Sequence, residues 1–160
     1  MGDLIGASYV MTHIGSAKDL PKKKALDLVI KGLGKVFEDK KTHACELLLE
    51  MSAGAGSVIG DTFEELAAII NAVTKSHGIE LGICLDTQHS FASGYDWRTK
   101  ALVDKNLKDF DRVLGFPKLK LIHLNDSKPD YNSHVDRHEH IGKGKIGLEG
   151  FEALLSHPAL

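Results

Sequence analysis

Four apolar runs in this chain each end on a side chain that can bind a metal ion. They are YVMTH ending at His13, ELLLE at Glu50, GICLD at Asp86 and LKLIH at His123. These positions stand 37, 36 and 37 residues apart. A strand, its covering helix and two loops take up a few tens of residues, so the period is that of a repeated β/α unit. In a parallel (β/α) barrel every strand's C-terminal end opens on one rim, where active sites are built. The pattern therefore predicts a metal centre assembled from consecutive strands. A closed eight-unit barrel needs roughly 250 residues, and four units at this spacing fill nearly all of the 160 here. The expectation is an open set of about four β/α units that pairs with something or belongs to a longer protein.

The segments between the runs support this reading. Ala7–His13, Glu46–Glu50, Leu81–Asp86 and Leu119–Leu124 read as strands. Leu47, Leu48 and Leu49 follow one another without alternation, as expected of a strand covered on both faces. A helix is expected after Pro21, with Ala25, Leu26, Val29 and Leu33 on one face, although Gly32 and Gly34 leave its centre open. A second opens at Asp61-Thr62-Phe63-Glu64-Glu65, a capping residue followed by acids, and stops at Gly78. A third spans about Thr99 to Leu114, ended by Gly115 and Pro117, and a fourth covers Leu148–Leu155. Strands and helices alternating four times argue for an α/β fold with a parallel sheet and outer helices. Residues 1–160 read as one domain.

Composition narrows the function classes. A net charge of −2 gives no global basic excess toward nucleic acid. No run of 18 apolar residues and no leader pattern occurs, so membrane spanning and secretion are not expected and the cytoplasm is the default. Cys45 and Cys84 lie in or beside apolar runs with no CxxC pair, which favours buried thiols in a reducing compartment.

A single acid or histidine at a strand end is usually structural. Four in phase, all His, Asp or Glu, are the ligand types that suit zinc, manganese and related ions. Two loops add to them. His89 follows Asp86 by three residues, and Asp136 and His138 are separated by one, so extended backbone points both to one side. His89, Asp136 and His138 would make a three-ligand site with an open position, as catalytic metal sites keep. Gly54-Ala55-Gly56-Ser57 fits neither phosphate-loop pattern and reads as a tight turn. Lys22-Lys23-Lys24 and Lys40-Lys41 read as solvated helix ends. His43, His77 and His157 lie near helix termini, and His134 and His140 are expected to be exposed.

The strings LEMSAGAGSVIGDTFEEL, GICLDTQHSFASGYD, HLNDSK and VDRHEHIGKGKIG together resemble the endonuclease IV family of abasic-site DNA repair enzymes (AP endonuclease family 2). The resemblance runs from YVMTHIGS to FEALLSHPAL. It implies a TIM (β/α)8 barrel with three zinc ions, manganese being an alternative at one site. Such an enzyme hydrolyses double-stranded DNA on the 5′ side of an abasic site and leaves a 3′-hydroxyl. By motif, Glu50 resembles the carboxylate bridging two metals, His13 a ligand of the first, and Asp86 and His123 ligands of the second. His89, Asp136 and His138 resemble the protein ligands of the third. By location alone, Asn125, Ser127, Lys128 and Arg137 are expected either as phosphate neighbours in a DNA complex or as solvated loop residues. Gln88 stands where the family often has a small residue or cysteine and is expected to adjust packing without binding metal. The family's ligand set also includes a histidine before residue 1 and a glutamate beyond Leu160, so the chain is expected to supply strands four to seven and to nick little alone. The family is usually monomeric, but open sheet edges would favour self-association. Two other readings stay open: a metal-dependent sugar isomerase or epimerase, and a non-catalytic metal-binding fragment.

Overall fold

Four short strands pair in sequence order into one parallel sheet: β1 Tyr9–His13, β2 Glu46–Glu50, β3 Gly82–Asp86 and β4 Leu119–His123. The computed structural model describes residues 2–38 and 44–160; Lys40, Lys41 and His43 fall outside them. Each strand ends on one of the four in-phase side chains. Helices α1 Lys22–Val36, α2 Phe63–His77, α4 Lys100–Val113 and α5 Gly147–Leu155 follow the strands in turn. This is the α/β architecture of the TIM-barrel family. A short helix, α3 Thr87–Ala92, directly follows β3. No sequence pattern announces it, because six residues are too few for a helical period to declare itself.

Strand alternation sorts the side chains onto two faces. Leu49, Ile83 and Leu85 join one core with Leu66, Ile69 and Ile70 of α2, Val103, Leu107 and Phe110 of α4, and Phe151 and Leu154 of α5. The opposite face carries Leu48, Glu50, Cys84 and Asp86, all buried. Helix ends follow local chemistry. Thr62 Oγ1 accepts from Glu65 N at 3.1 Å while Glu65 Oε2 accepts from Gly60 N at 2.7 Å, so two backbone donors at the α2 entrance are satisfied. Gly78 ends α2 in the left-handed region at φ 68°.

α1 runs unbroken through both glycines. A Cβ at Gly34 would collide with the His77 ring at the end of α2, so the residue that weakens α1 locally also lets the two helices approach. Lys22 is not a free helix-end charge. Its Nζ lies 3.0 Å from Glu65 and 3.7 Å from Asp61, tying the start of α1 to the start of α2.

The long polar segment after β4 is ordered by one carboxylate. β5 Asp126–Ser127 pairs antiparallel with β6 His138–Glu139, and Asp126 is fully buried. Its Oδ1 accepts from Ser127 N (2.8 Å) and Ile146 N (2.9 Å); its Oδ2 accepts from Gly142 N (3.0 Å), Gly144 N (3.0 Å) and Gly147 N (3.3 Å). Gly144 has to be glycine, since a Cβ there would meet the Ser127 carbonyl and the Asp126 carboxylate. Among the described residues β1 and β4 each pair on one side only, and Tyr9, Val10 and Leu121 are exposed there. No helix among the described residues is long and apolar enough to cross a membrane.

Removing the Asp126 carboxylate would leave several buried N–H groups without an acceptor. Asp126→Ala is expected to lower unfolding free energy by about 3–5 kcal/mol, measured by urea denaturation. Asp126→Asn should recover only part of this, because its amide donors face backbone donors.

Candidate metal centre

The strand register does not place the four strand ends level. His13 lies opposite Glu50, but Glu50 lies opposite Cys84, and Asp86 lies opposite His123. A register irregularity between Ile83 and Cys84 carries the stagger into β4. His13, Glu50 and Cys84 therefore form one tier, and Asp86 and His123 the tier above it.

Glu50 is the centre of the lower tier and only 2% exposed. Its Oε1 lies 2.9 Å from His123 Nδ1 and 3.7 Å from His89 Nδ1, and its Oε2 lies 3.4 Å from His13 Nε2. Oε2 is buried without a hydrogen-bond partner. A buried carboxylate between an imidazole of neighbouring β1 and one of β4, two strands away, has the form that a bridging ligand takes. Above it, Asp86 Oδ2 lies 3.7 Å from His123 Nδ1.

α3 brings the remaining residues into contact with this pair of tiers. Asp86 Oδ1 caps the helix by accepting from His89 N at 2.9 Å. The turn aims His89 across the sheet, where its Nδ1 meets the Met51 carbonyl at 2.9 Å. A carbonyl only accepts, so Nδ1 carries the proton and Nε2 the free lone pair in a neutral ring. That lone pair faces Asp136 Oδ1 at 3.4 Å and His138 Nε2 at 3.3 Å. His138 Nε2 in turn lies 3.5 Å from Asp136 Oδ1 and 3.9 Å from Asp86 Oδ2. His89 Nε2 and Asp136 Oδ1 thus meet as two acceptors, an arrangement that a cation, or a proton on His138 Nε2, resolves. All seven sequence-predicted ligands converge on the rim. Their oxygen and imidazole donors fit a divalent ion such as zinc or manganese, and the carbonyl behind His89 is the kind of partner that orients a ligating histidine.

One neighbour was not foreseen. Cys84, Glu50 and His123 offer ligand atoms that all lie within 4.8 Å of one another. The sequence rule considers only the last residue of each strand, and the stagger places Cys84 level with Glu50. Burial, followed by the Glu50 and Asp86 carboxylates, pushes the Cys84 thiol up to about 12. It stays protonated at neutral pH.

The other positions divide clearly. Asn125 turns inward: its Nδ2 donates to Asp86 Oδ2 at 2.6 Å and its N–H to Thr87 Oγ1 at 2.8 Å. Lys128 and Arg137 are exposed and joined through backbone, Lys128 N donating to Arg137 O at 3.0 Å. Ser127 is buried, its hydroxyl donating to Pro129 O. His134 is exposed beside Gly54, where a Cβ would strike its ring. His140 is exposed, and His157 lies 3.4 Å from Asp104.

Comparison with known proteins gives one direction. Residues 3–159 match the family model described as a xylose isomerase-like TIM barrel. A curated protein of Halothermothrix orenii named probable endonuclease 4 is 43% identical over 99% of this chain and 56% of its own length. One of the same name from Chlorobium limicola is 49% identical over 98% of this chain and 53% of its own length. The crystal structure of endonuclease IV from Thermus thermophilus superposes with a TM-score of 0.79 at 34% identity, covering 99% of this chain and 54% of that one. The chain spans about half the length of the curated relatives it matches.

Two measurements check the site. Zinc added to metal-free protein is expected to raise the unfolding free energy, by about 2.7 kcal/mol at a hundredfold excess over Kd; Glu50→Gln should abolish most of that gain in thermal melts. In native protein a thiol reagent is expected to label Cys45 alone, with Cys84 labelled only after denaturation, as read by mass spectrometry.

Proposed function

Because the chain belongs to the endonuclease IV family of xylose isomerase-like TIM barrels, we propose that it provides the metal-binding rim of a DNA repair nuclease. The substrate is double-stranded DNA with an abasic site, and the reaction is hydrolysis of the phosphodiester on its 5′ side, leaving a 3′-hydroxyl. The reading rests above all on buried Glu50, one oxygen of which has no hydrogen bond, set between His13 and His123. Residues 1–160 act as one domain, in the cytoplasm.

In this reading Glu50 would be the carboxylate shared by two zinc ions, with His13 a ligand of the first and Asp86 and His123 ligands of the second. His89, Asp136 and His138 would hold a third ion, where manganese is an alternative. Bound divalent ions neutralise phosphate charge, stabilise a leaving alkoxide and bring water's pKa toward ~7. The protein's part is to fix the donors. Asn125 orients Asp86, the Met51 carbonyl orients His89, and the Thr87 hydroxyl, 2.7 Å from Asn125 O, holds the exit of β4 against α3. Exposed Lys128 and Arg137 meet the DNA phosphates beside the rim. Selectivity follows from extruding the damaged nucleotide, since a base-less sugar is cheaper to unstack than an intact nucleotide and needs no room for a base.

The test uses duplex DNA with one tetrahydrofuran abasic analogue. The assay is run on the chain alone and on the chain joined to flanking β/α units at the full length of its relatives. The full-length form is expected to nick 5′ of the analogue, to lose activity on chelation, and to regain it with zinc. Glu50→Gln combined with His123→Ala should abolish nicking. Retained nicking in that double variant would overturn the metal assignment, and no metal-dependent nicking of abasic duplex by the full-length form would overturn the function.

A further inference from the structure

Gln88 lies between two proposed ligands, Asp86 and His89, yet its side-chain hydrogen bonds go to neither. It is fully buried on the first turn of α3. Its Nε2 donates to the Val135 carbonyl at 3.0 Å and lies 3.4 Å from Ser127 Oγ. The Ser127 hydroxyl donates to Pro129 O at 2.9 Å, so its oxygen is free to accept. One amide on α3 thus grips both β5 and the residue before Asp136.

The backbone around this grip shows what it holds. The segment after β5 is seated on α3 by Asn132 N to Phe91 O at 3.1 Å and His134 N to Ala92 O at 3.0 Å. On the far side, Lys128 N to Arg137 O at 3.0 Å and the β5–β6 pairing fix Arg137 and His138. Between these anchors stand Val135 and Asp136, both exposed. The Gln88 bond to Val135 O closes that gap, so Asp136 is pinned on one side by Gln88 and on the other by Lys128. His89, the next residue along α3, is fixed to the same helical turn. Gln88 therefore sets the distance between His89 on the helix and Asp136 on the loop, 3.4 Å between ligand atoms.

The other half of the amide argues that the grip has a purpose. Gln88 Oε1 is buried without a hydrogen-bond partner. An unpaired buried acceptor destabilises the fold, and an apolar side chain of equal length would avoid it. Flipping the amide would set Oε1 against the Val135 carbonyl, so the observed orientation is the favourable one.

We propose that Gln88 is a positioning residue for the metal held by His89, Asp136 and His138, acting through the Val135 carbonyl. The inference rests on the metal-centre reading above. Partners behind metal ligands typically change affinity about 10–100-fold when removed, and Gln88 acts on a ligand-bearing loop in the same way.

The experiment titrates zinc into the full chain in competition with a chromophoric chelator, and repeats it with cobalt to follow ligand-field absorption. The ion that wild-type protein holds and His138→Ala loses defines the site. Gln88→Met keeps length and removes both donors, while Gln88→Glu keeps shape and puts a carboxylate oxygen against Val135 O. Both are expected to weaken that ion by about 10–100-fold and change its cobalt spectrum, while the remaining bound metal and the circular dichroism are unaltered. Wild-type affinity at that site in both variants would overturn the proposal. So would a parallel loss of all bound metal, which would mark Gln88 as a general packing residue. If His138→Ala binds metal as wild type does, the metal-centre reading fails and this inference falls with it.

Discussion

The stagger between β2 and β3 is the constraint on which the site depends. Were the strands level, Glu50 would stand beside Asp86, and two carboxylates would oppose each other directly. Instead Glu50 has Cys84 beside it and Asp86 one tier higher. Two carboxyl groups thereby enter one site with an imidazole between them: His123 reaches both, at 2.9 and 3.7 Å. The neutral thiol at the Glu50 level adds no charge. Hydrogen bonds of the sheet thus decide which charges meet.

A second order of organisation lies in the segment after β4. It carries two of the seven proposed ligands but little regular structure, and it has no core of its own. Buried polar groups take the place that apolar packing has elsewhere. Asp126 gathers the backbone donors of the glycine-rich turn, and Gln88 and the carbonyls of α3 hold the stretch before β6. Interactions of this kind are directional and unforgiving, because each partner lost leaves a buried group unsatisfied. Such a loop can hold exposed ligands in place without burying them.

Much of this was legible in the sequence. The strands and the four long helices follow from apolar runs, caps and stops, and the in-phase ligands from the repeat of the unit. What escaped was whatever depends on neighbours distant in sequence. The stagger is a property of paired strands, so Cys84 could not be seen beside Glu50. Gly34 looked like a weakness because His77 is 43 residues away. Asp126 lies in a polar string, and its partners, apart from Ser127, come 16 to 21 residues later. The hydrogen bond from Asn125 to Asp86 Oδ2 likewise joins residues 39 positions apart, which location in a loop does not reveal.

Asp86 divides its two oxygens between different tasks: Oδ1 caps α3, and Oδ2 faces Asn125, His123 and His138. Charge drawn to one oxygen is felt at the other, so the first turn of α3 is electrically part of the cluster. Loss of this carboxylate would therefore remove a proposed ligand and also release the helix start that carries His89 and Gln88. Replacing Asp86 cannot isolate one ligand's contribution, whereas replacing His123, which caps nothing, comes closer to doing so.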